Sequence, residues 1–185
     1  LYPVPKSLHP KSEPAHFSGV PSLWPVSVPA LPKVHFPSHL PLFPCPSEVF
    51  LQNQTIQPDG KRINQPTDLG NAIAILRGTD PNDKRIFMIG GHLDSRVSDV
   101  MNAKDFAPGA NDDGSGVGAV IESARILSQS KFPATIVFVA FSGEEQGLLG
   151  AKMLAEKAKN ENWQLEALLN NDMIGNSLSS GTQLR

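Results

Sequence analysis

From residue 47 onward the chain alternates short apolar runs with amphipathic stretches. Ala134–Phe141 (Ala-Thr-Ile-Val-Phe-Val-Ala-Phe) is apolar almost throughout and rich in β-branched residues, the composition of a strand buried on both faces. Arg85–Gly90 is a second short apolar run, ended by glycines. Glu48–Gln54 and Ala72–Arg77 read as further strands, and Ala167–Ile174 as a weaker fifth. Two stretches between them carry helical spacing. Ser115 is placed to cap a helix that lines up Val117, Val120, Ile121, Ala124 and Leu127 on one face. Gly147–Asn160 sets Leu148, Leu149, Met153 and Leu154 against a side of Lys and Glu. Strands alternating with helices predict an α/β domain: a mostly parallel, mixed sheet with helices on both faces. In such sheets ligands bind beyond the carboxyl ends of the strands.

Residues 1–46 have a different texture. They hold 12 of the 17 prolines and four of the five histidines. Proline removes a backbone donor and restricts the residue before it, so no helix or central strand can run through this spacing. The segment is expected to be extended, polyproline-like or disordered. Its Phe, Leu, Val and Trp content is high for ordinary disorder and leaves two readings, read-through sequence foreign to the domain before a partner-binding tail. The expected organisation is therefore a proline-rich segment over residues 1–46 and a folded unit over residues 47–185.

Composition narrows the function. Lys+Arg number 16 against 18 Asp+Glu, and no basic patch argues for nucleic acid. No apolar run reaches 18 residues, so no membrane-spanning helix is expected. Cys45 is the single cysteine, which excludes an internal disulfide framework. The chain begins at Leu1, which reads as a processed or partial sequence, and no signal peptide is recognisable as given. One glycosylation sequon occurs, Asn53-Gln54-Thr55.

The candidate chemistry sits where apolar runs end. After Arg85–Gly90 comes Gly91-His92-Leu93-Asp94-Ser95, whose His92 and Asp94 share a face in extended chain. A histidine offers a neutral nitrogen ligand, and a nearby carboxylate can fix its tautomer. Alone, this pair reads first as a polar strand end. The second cluster, Pro108 to Gly116, places Asp112 and Asp113 in a glycine-rich turn at a helix start, where acids also serve as caps. The third follows the most apolar strand and reads Phe141-Ser142-Gly143-Glu144-Glu145-Gln146-Gly147. Two adjacent carboxylates there raise each other's pKa unless a cation neutralises them. The fourth, Asn170-Asn171-Asp172-Met173-Ile174-Gly175, is another acid at a strand end. Successive strand ends thus supply His, Asp, Glu and Asp, a nitrogen-and-oxygen set that suits zinc or another first-row divalent ion.

The series GHLDS, PGANDDGSG, FSGEEQGLLG and NDMIGN, spread over residues 48–178, resembles the bacterial leucyl aminopeptidase type of zinc exopeptidase. Glutaminyl cyclases and transferrin-receptor-like domains share that fold. The resemblance implies a metal-dependent aminopeptidase with two zincs in a complete site. His92, Asp112 and Asp172 would hold one zinc, and Asp112 would bridge to the other, held by Glu145. Glu144 would be the general base and Asp94 the partner that orients His92. A cis Asp112–Asp113 peptide bond is also implied. The substrate would be a peptide with a free N-terminus, and an extracellular or periplasmic location is favoured. The resemblance further implies a late histidine on the second zinc. No histidine follows His92, so an incomplete sheet and site are expected, with at most one zinc firmly bound. An inactive fragment or non-catalytic domain of the same fold, and a glutaminyl cyclase, remain open at this point.

Overall fold

The structure, a computed structural model, describes residues 46–176. The proline-rich segment expected over residues 1–46 lies outside the described residues but for Pro46. Five strands and two helices follow in the order β1 (Glu48–Ile56), β2 (Thr67–Leu76), β3 (Arg85–His92), α1 (Gly114–Leu127), β4 (Thr135–Phe141), α2 (Leu149–Asn160) and β5 (Gln164–Asn170). They form one sheet in the order β1-β2-β4-β3-β5. The pairings of β3 with β4 and with β5 are parallel, whereas β1 with β2 and β2 with β4 are antiparallel. The sheet is thus mixed, with its parallel part on the side that carries the chemistry.

The connections explain where the helices lie. From β3 the chain crosses through α1 to β4. From β4 it returns through α2 past β3 to β5. Crossovers between parallel strands are right-handed almost without exception, so two that run in opposite directions along a sheet place their helices on opposite faces. The side chains of β4 record this. Val137, Val139 and Phe141 pack with Leu154 of α2, and Ile136 and Phe138 pack with Val120 of α1. Val139 is wholly buried. That two-sided burial is why β4 is apolar without alternation. Because the chain leaves β3 toward one face and β4 toward the other, a crevice opens between their carboxyl ends, where ligands bind in sheets of this kind.

The observed elements differ from the expected ones at their ends. β2 starts five residues before Ala72, because its inward side is Leu69, Asn71, Ile73 and Ile75 and the buried amide of Asn71 interrupts the apolar alternation. Asn71 is satisfied by tertiary partners: it donates to Gln52 Oε1 and to the Gly150 carbonyl, and accepts from the Ser142 N–H. The α1 cap is Asp113, not Ser115; the Asp113 carboxylate accepts from Gly116 N, while the Ser115 hydroxyl donates back to the Asn111 carbonyl. The fifth strand ends at Asn170, and Asn171–Gly175 leave it as a loop. Every residue of β5 is exposed, including Leu165, Leu168 and Leu169. Among the described residues, no helix is long and apolar enough to cross a membrane.

Candidate metal centre

The first donor is His92, the last residue of β3. Its side chain is only 4% exposed. Nδ1 lies 3.0 Å from the carbonyl oxygen of Asp94, and Nε2 points the other way, 3.1 Å from Asp112 Oδ1 and 3.9 Å from Asp172 Oδ1. A histidine whose Nδ1–H is engaged by a carbonyl presents the Nε2 lone pair outward, as metal-ligating histidines do. One ligand atom from each of His92, Asp112 and Asp172 lies within 4.8 Å of the other two. Asp112 and Asp172 are 47% and 46% exposed, so the cluster opens to solvent above a buried imidazole. Glu144 Oε2 lies 4.0 Å from the same Nε2. The four residues come from the ends of β3, β4 and β5 and the turn before α1, as the strand-end rule requires.

These groups set each other's protonation. Burial works against a charge on His92, yet the carboxylates of Asp94, Glu144 and Asp113 and the bond to Asp94 outweigh it, so its pKa is raised. Burial raises the Glu144 pKa; His92 opposes this, and Glu145, Asp94 and Asp172 add to it. Without a cation, this crevice favours protons on both groups. A divalent cation relieves the same crowding of negative charge, so imidazole and carboxylates fit zinc in donor type and in electrostatics.

The surroundings of Asp94 and Glu145 add detail to their expected roles. The Asp94 carboxylate stands 3.8 Å from His92 Nδ1, and the backbone carbonyl of Asp94 makes the hydrogen bond. Its carboxylate instead accepts the N–H groups of Glu144 and Glu145, each at 3.0 Å. Asp94 therefore orients the imidazole with one group and the turn after β4 with another. Glu145 lies outside the cluster of His92, Asp112 and Asp172. Its Oε2 is 2.7 Å from Arg96 Nε, and the side chain is 13% exposed.

The capping role open to Asp113 is realised and extended, whereas Asn71 and Arg96 were not singled out in the sequence. Asp113 is 1% exposed and accepts from the N–H groups of His92, Gly116 and Met173, so one carboxylate joins β3, α1 and the loop after β5. The signal was its place three residues before Gly116 at a helix start. The expected cis Asp112–Asp113 peptide bond is present. Gly116 has to lack a side chain here, since a Cβ would lie 2.4 Å from both the Asn171 carbonyl and Asp113 Oδ1. Gly143, at φ +69°, makes the turn that brings Glu144 back over β3. Asn71 props that turn through Ser142. Arg96 carried no signal beyond its closeness to Asp94.

Comparison with known proteins gives the family. Residues 71–181 match the model of peptidase family M28, and the chain belongs to that family. A protein of Pyricularia oryzae named probable zinc metalloprotease is 46% identical over 125 residues, covering 68% of this chain and 25% of the relative. The chain spans about a quarter of the length of the first curated relatives it matches. A zinc-dependent exopeptidase from Parabacteroides distasonis, 23% identical, shares the fold with a TM-score of 0.55 over 69% of this chain and 48% of that one. A zinc aminopeptidase from Bacillus subtilis is 33% identical with a TM-score of 0.50, over 60% of this chain and 25% of that one.

Proposed function

We propose that this chain carries the first cation position and the general base of a zinc aminopeptidase acting on peptides with free N-termini. The observation that carries the reading is the convergence of His92, Asp112 and Asp172 within 4.8 Å, with the Glu144 carboxylate beside them. His92, Asp112 and Asp172 would hold one zinc, three protein donors being what an open catalytic site uses. Asp112 and Glu145 would serve the second. Bound zinc supplies Lewis-acid polarisation of the scissile carbonyl and lowers the pKa of water.

Glu144 accepts the proton of the attacking water and hands it to the leaving amine. Its raised pKa suits it to both halves of that transfer, since a base closer to neutrality is also a competent acid. Asp94 holds the Glu144 amide, so the base is aimed from the same strand end that carries His92. Asp113 holds the His92 amide and the loop bearing Asp172, so two donors are positioned by one buried anion.

The test is to purify the 185-residue chain, measure zinc per chain, and assay leucyl-anilide hydrolysis. One firmly held zinc, lost in His92→Ala, is expected. Hydrolysis should be slow or absent, because Asp112 and Glu145 alone make a weak second position. Any turnover should vanish in Glu144→Gln. Two tightly held zincs with turnover untouched by Glu144→Gln would overturn the reading.

A further inference from the structure

One motif of the sequence stands apart from the metal centre. Asn53-Gln54-Thr55 is a sequon for N-linked glycosylation, and its middle residue is not the proline that would disable it. It falls on β1, the end strand of the sheet, which pairs only with β2 among the described residues. All three residues of the sequon are exposed. Phe50 packs against the core beside α2, and Gln52 Nε2 donates to the Met153 carbonyl, so alternation puts Leu51, Asn53 and Thr55 on the opposite face. Room for the amide comes from across the ladder. Gly70 is the partner of Asn53, and a Cβ there would lie 2.5 Å from Asn53 Oδ1. β2 and β4 separate β1 from β3, which puts the sequon about 14 Å of sheet away from the strand that carries His92.

β1 is otherwise unguarded. An edge strand offers unpaired N–H and C=O groups to any other strand, and proteins blunt such edges with lysine, proline, bulges or short length. β1 is nine residues long, has no lysine, arginine or proline, and keeps register with β2 from Glu48 to Ile56 without a bulge. Its single charge, Glu48, is paired with Arg77. Val49 and Leu51 stand 72% and 58% exposed beside the sequon. We infer that Asn53 is the acceptor of an N-linked glycan that covers this open edge, and that the protein enters a secretory lumen to receive it. The donor is an oligosaccharide carried on a lipid pyrophosphate. Asn53 Nδ2 bonds to its anomeric carbon, the bond from that carbon to the pyrophosphate oxygen breaks, the lipid pyrophosphate leaves, and the amide gives up one proton to the transferase. A glycan is bulky and solubilising, so it hinders strand addition without any charge on β1. Thr55, whose hydroxyl donates to Asp68 Oδ1 at 2.6 Å in the folded chain, completes the motif that the transferase reads.

The test expresses the chain behind a cleavable leader in a eukaryotic host and reads the cell-associated pool, so that export is not required; loss of the leader marks entry. A single mobility step, removed by N-glycosidase, is expected. It should be absent in Asn53→Gln and in Thr55→Ala and retained in Thr55→Ser, since a serine also completes the sequon. A chain that has lost its leader and shows no step overturns the acceptor. In the protein isolated from its own source, N-glycosidase treatment in heavy-oxygen water should label residue 53, and a wholly unmodified Asn53 there overturns the inference. The cover is read on the folded glycosylated chain, before and after enzymatic trimming to one sugar, by sedimentation over a range of concentration. Trimming should shift association to lower concentration, and unchanged association overturns the cover while the acceptor stands. None of these readouts involves zinc or turnover, so the metal centre stands or falls separately.

Discussion

Two turns at the carboxyl edge of the sheet each carry a pair of adjacent acids, and each pair divides its labour differently. In the turn before α1, Asp112 reaches the imidazole of His92 while Asp113 turns inward and accepts three backbone N–H groups. In the turn after β4, Glu144 reaches the same imidazole while Glu145 turns to Arg96. In both pairs the first acid faces the imidazole and the second turns away from it, Asp113 into the fold and Glu145 toward Arg96. The second acids differ in what satisfies them. Asp113 is held by backbone dipoles in a buried place, and Glu145 by one side-chain charge near the surface. A carboxylate fixed by the backbone cannot be released without unfolding its neighbours; one fixed by an arginine can.

The largest effect should come from Asp113. Replacing it with Ala leaves the N–H groups of His92, Gly116 and Met173 without their acceptor in a buried place. An orphaned donor costs about 1–3 kcal/mol, so the loss should reach about 3 kcal/mol or more and remove cooperative unfolding in urea. If Asp113→Ala unfolds at the wild-type midpoint, the contrast between the pairs is lost. Asp112→Asn should do the opposite: stability changed by less than about 1 kcal/mol, as for an exposed position. Its zinc affinity should fall by a factor of about 10–100 or more in chelator competition, the floor expected of a ligand when even outer partners cost that much.

Glu144→Gln keeps the shape of the side chain and removes the base. Zinc binding should stay within about threefold of the wild type, while any leucyl-anilide hydrolysis falls by at least about 100-fold, the usual worth of a positioned base. Asp94→Ala should fall between the two pairs, since it frees the amides of Glu144 and Glu145 together. We expect a loss of about 2 kcal/mol from two charge-assisted bonds at a partly exposed site, measured by urea denaturation.

The smallest effect is a dependence on pH. His92 and Glu144 both have raised pKa values in the folded chain. The folded state therefore holds protons that the unfolded state has released, and zinc-free stability should decline as pH rises from about 4 through and beyond about 6.5. Asp59 and Asp83 act in the other direction and lower down. Backbone N–H groups hold the first at about 2, and Arg85 holds the second at about 2, so their contribution is lost as pH falls below about 4. Zinc requires a neutral His92, so its affinity should weaken as pH falls through the raised histidine value, with proton release on binding. Melting curves with and without zinc across this range should converge at low pH and separate as pH rises.

The residues that face the crevice were legible because they end apolar runs: His92 as the last residue of β3, Glu144 after β4, Asp172 after β5. A polar group at the end of a buried strand is conspicuous in any reading of hydrophobic pattern. Which acid of a pair faces inward was not legible from pattern alone. Asp113 is settled by Gly116 three residues away and by Met173 sixty residues away, and no local rule reaches the second. Asn71 was hidden for the same reason, its partners being Gln52, Ser142 and Gly150. The bounds of β5, expected at Ala167–Ile174 and found at Gln164–Asn170, were missed because its wholly exposed side chains impose no alternation on the sequence.

The reach of Asp113 has a kinetic consequence. The carboxylate gathers amides at residues 92, 116 and 173, so the cluster cannot exist until β3, α1 and the loop after β5 have met. Such distant meetings come late on the way to the native chain. A cation that binds there cannot seed folding; it can only hold closed what has already closed. Zinc should therefore leave the refolding rate unchanged and slow unfolding, lengthening the life of the folded chain by the inverse of the fraction left zinc-free.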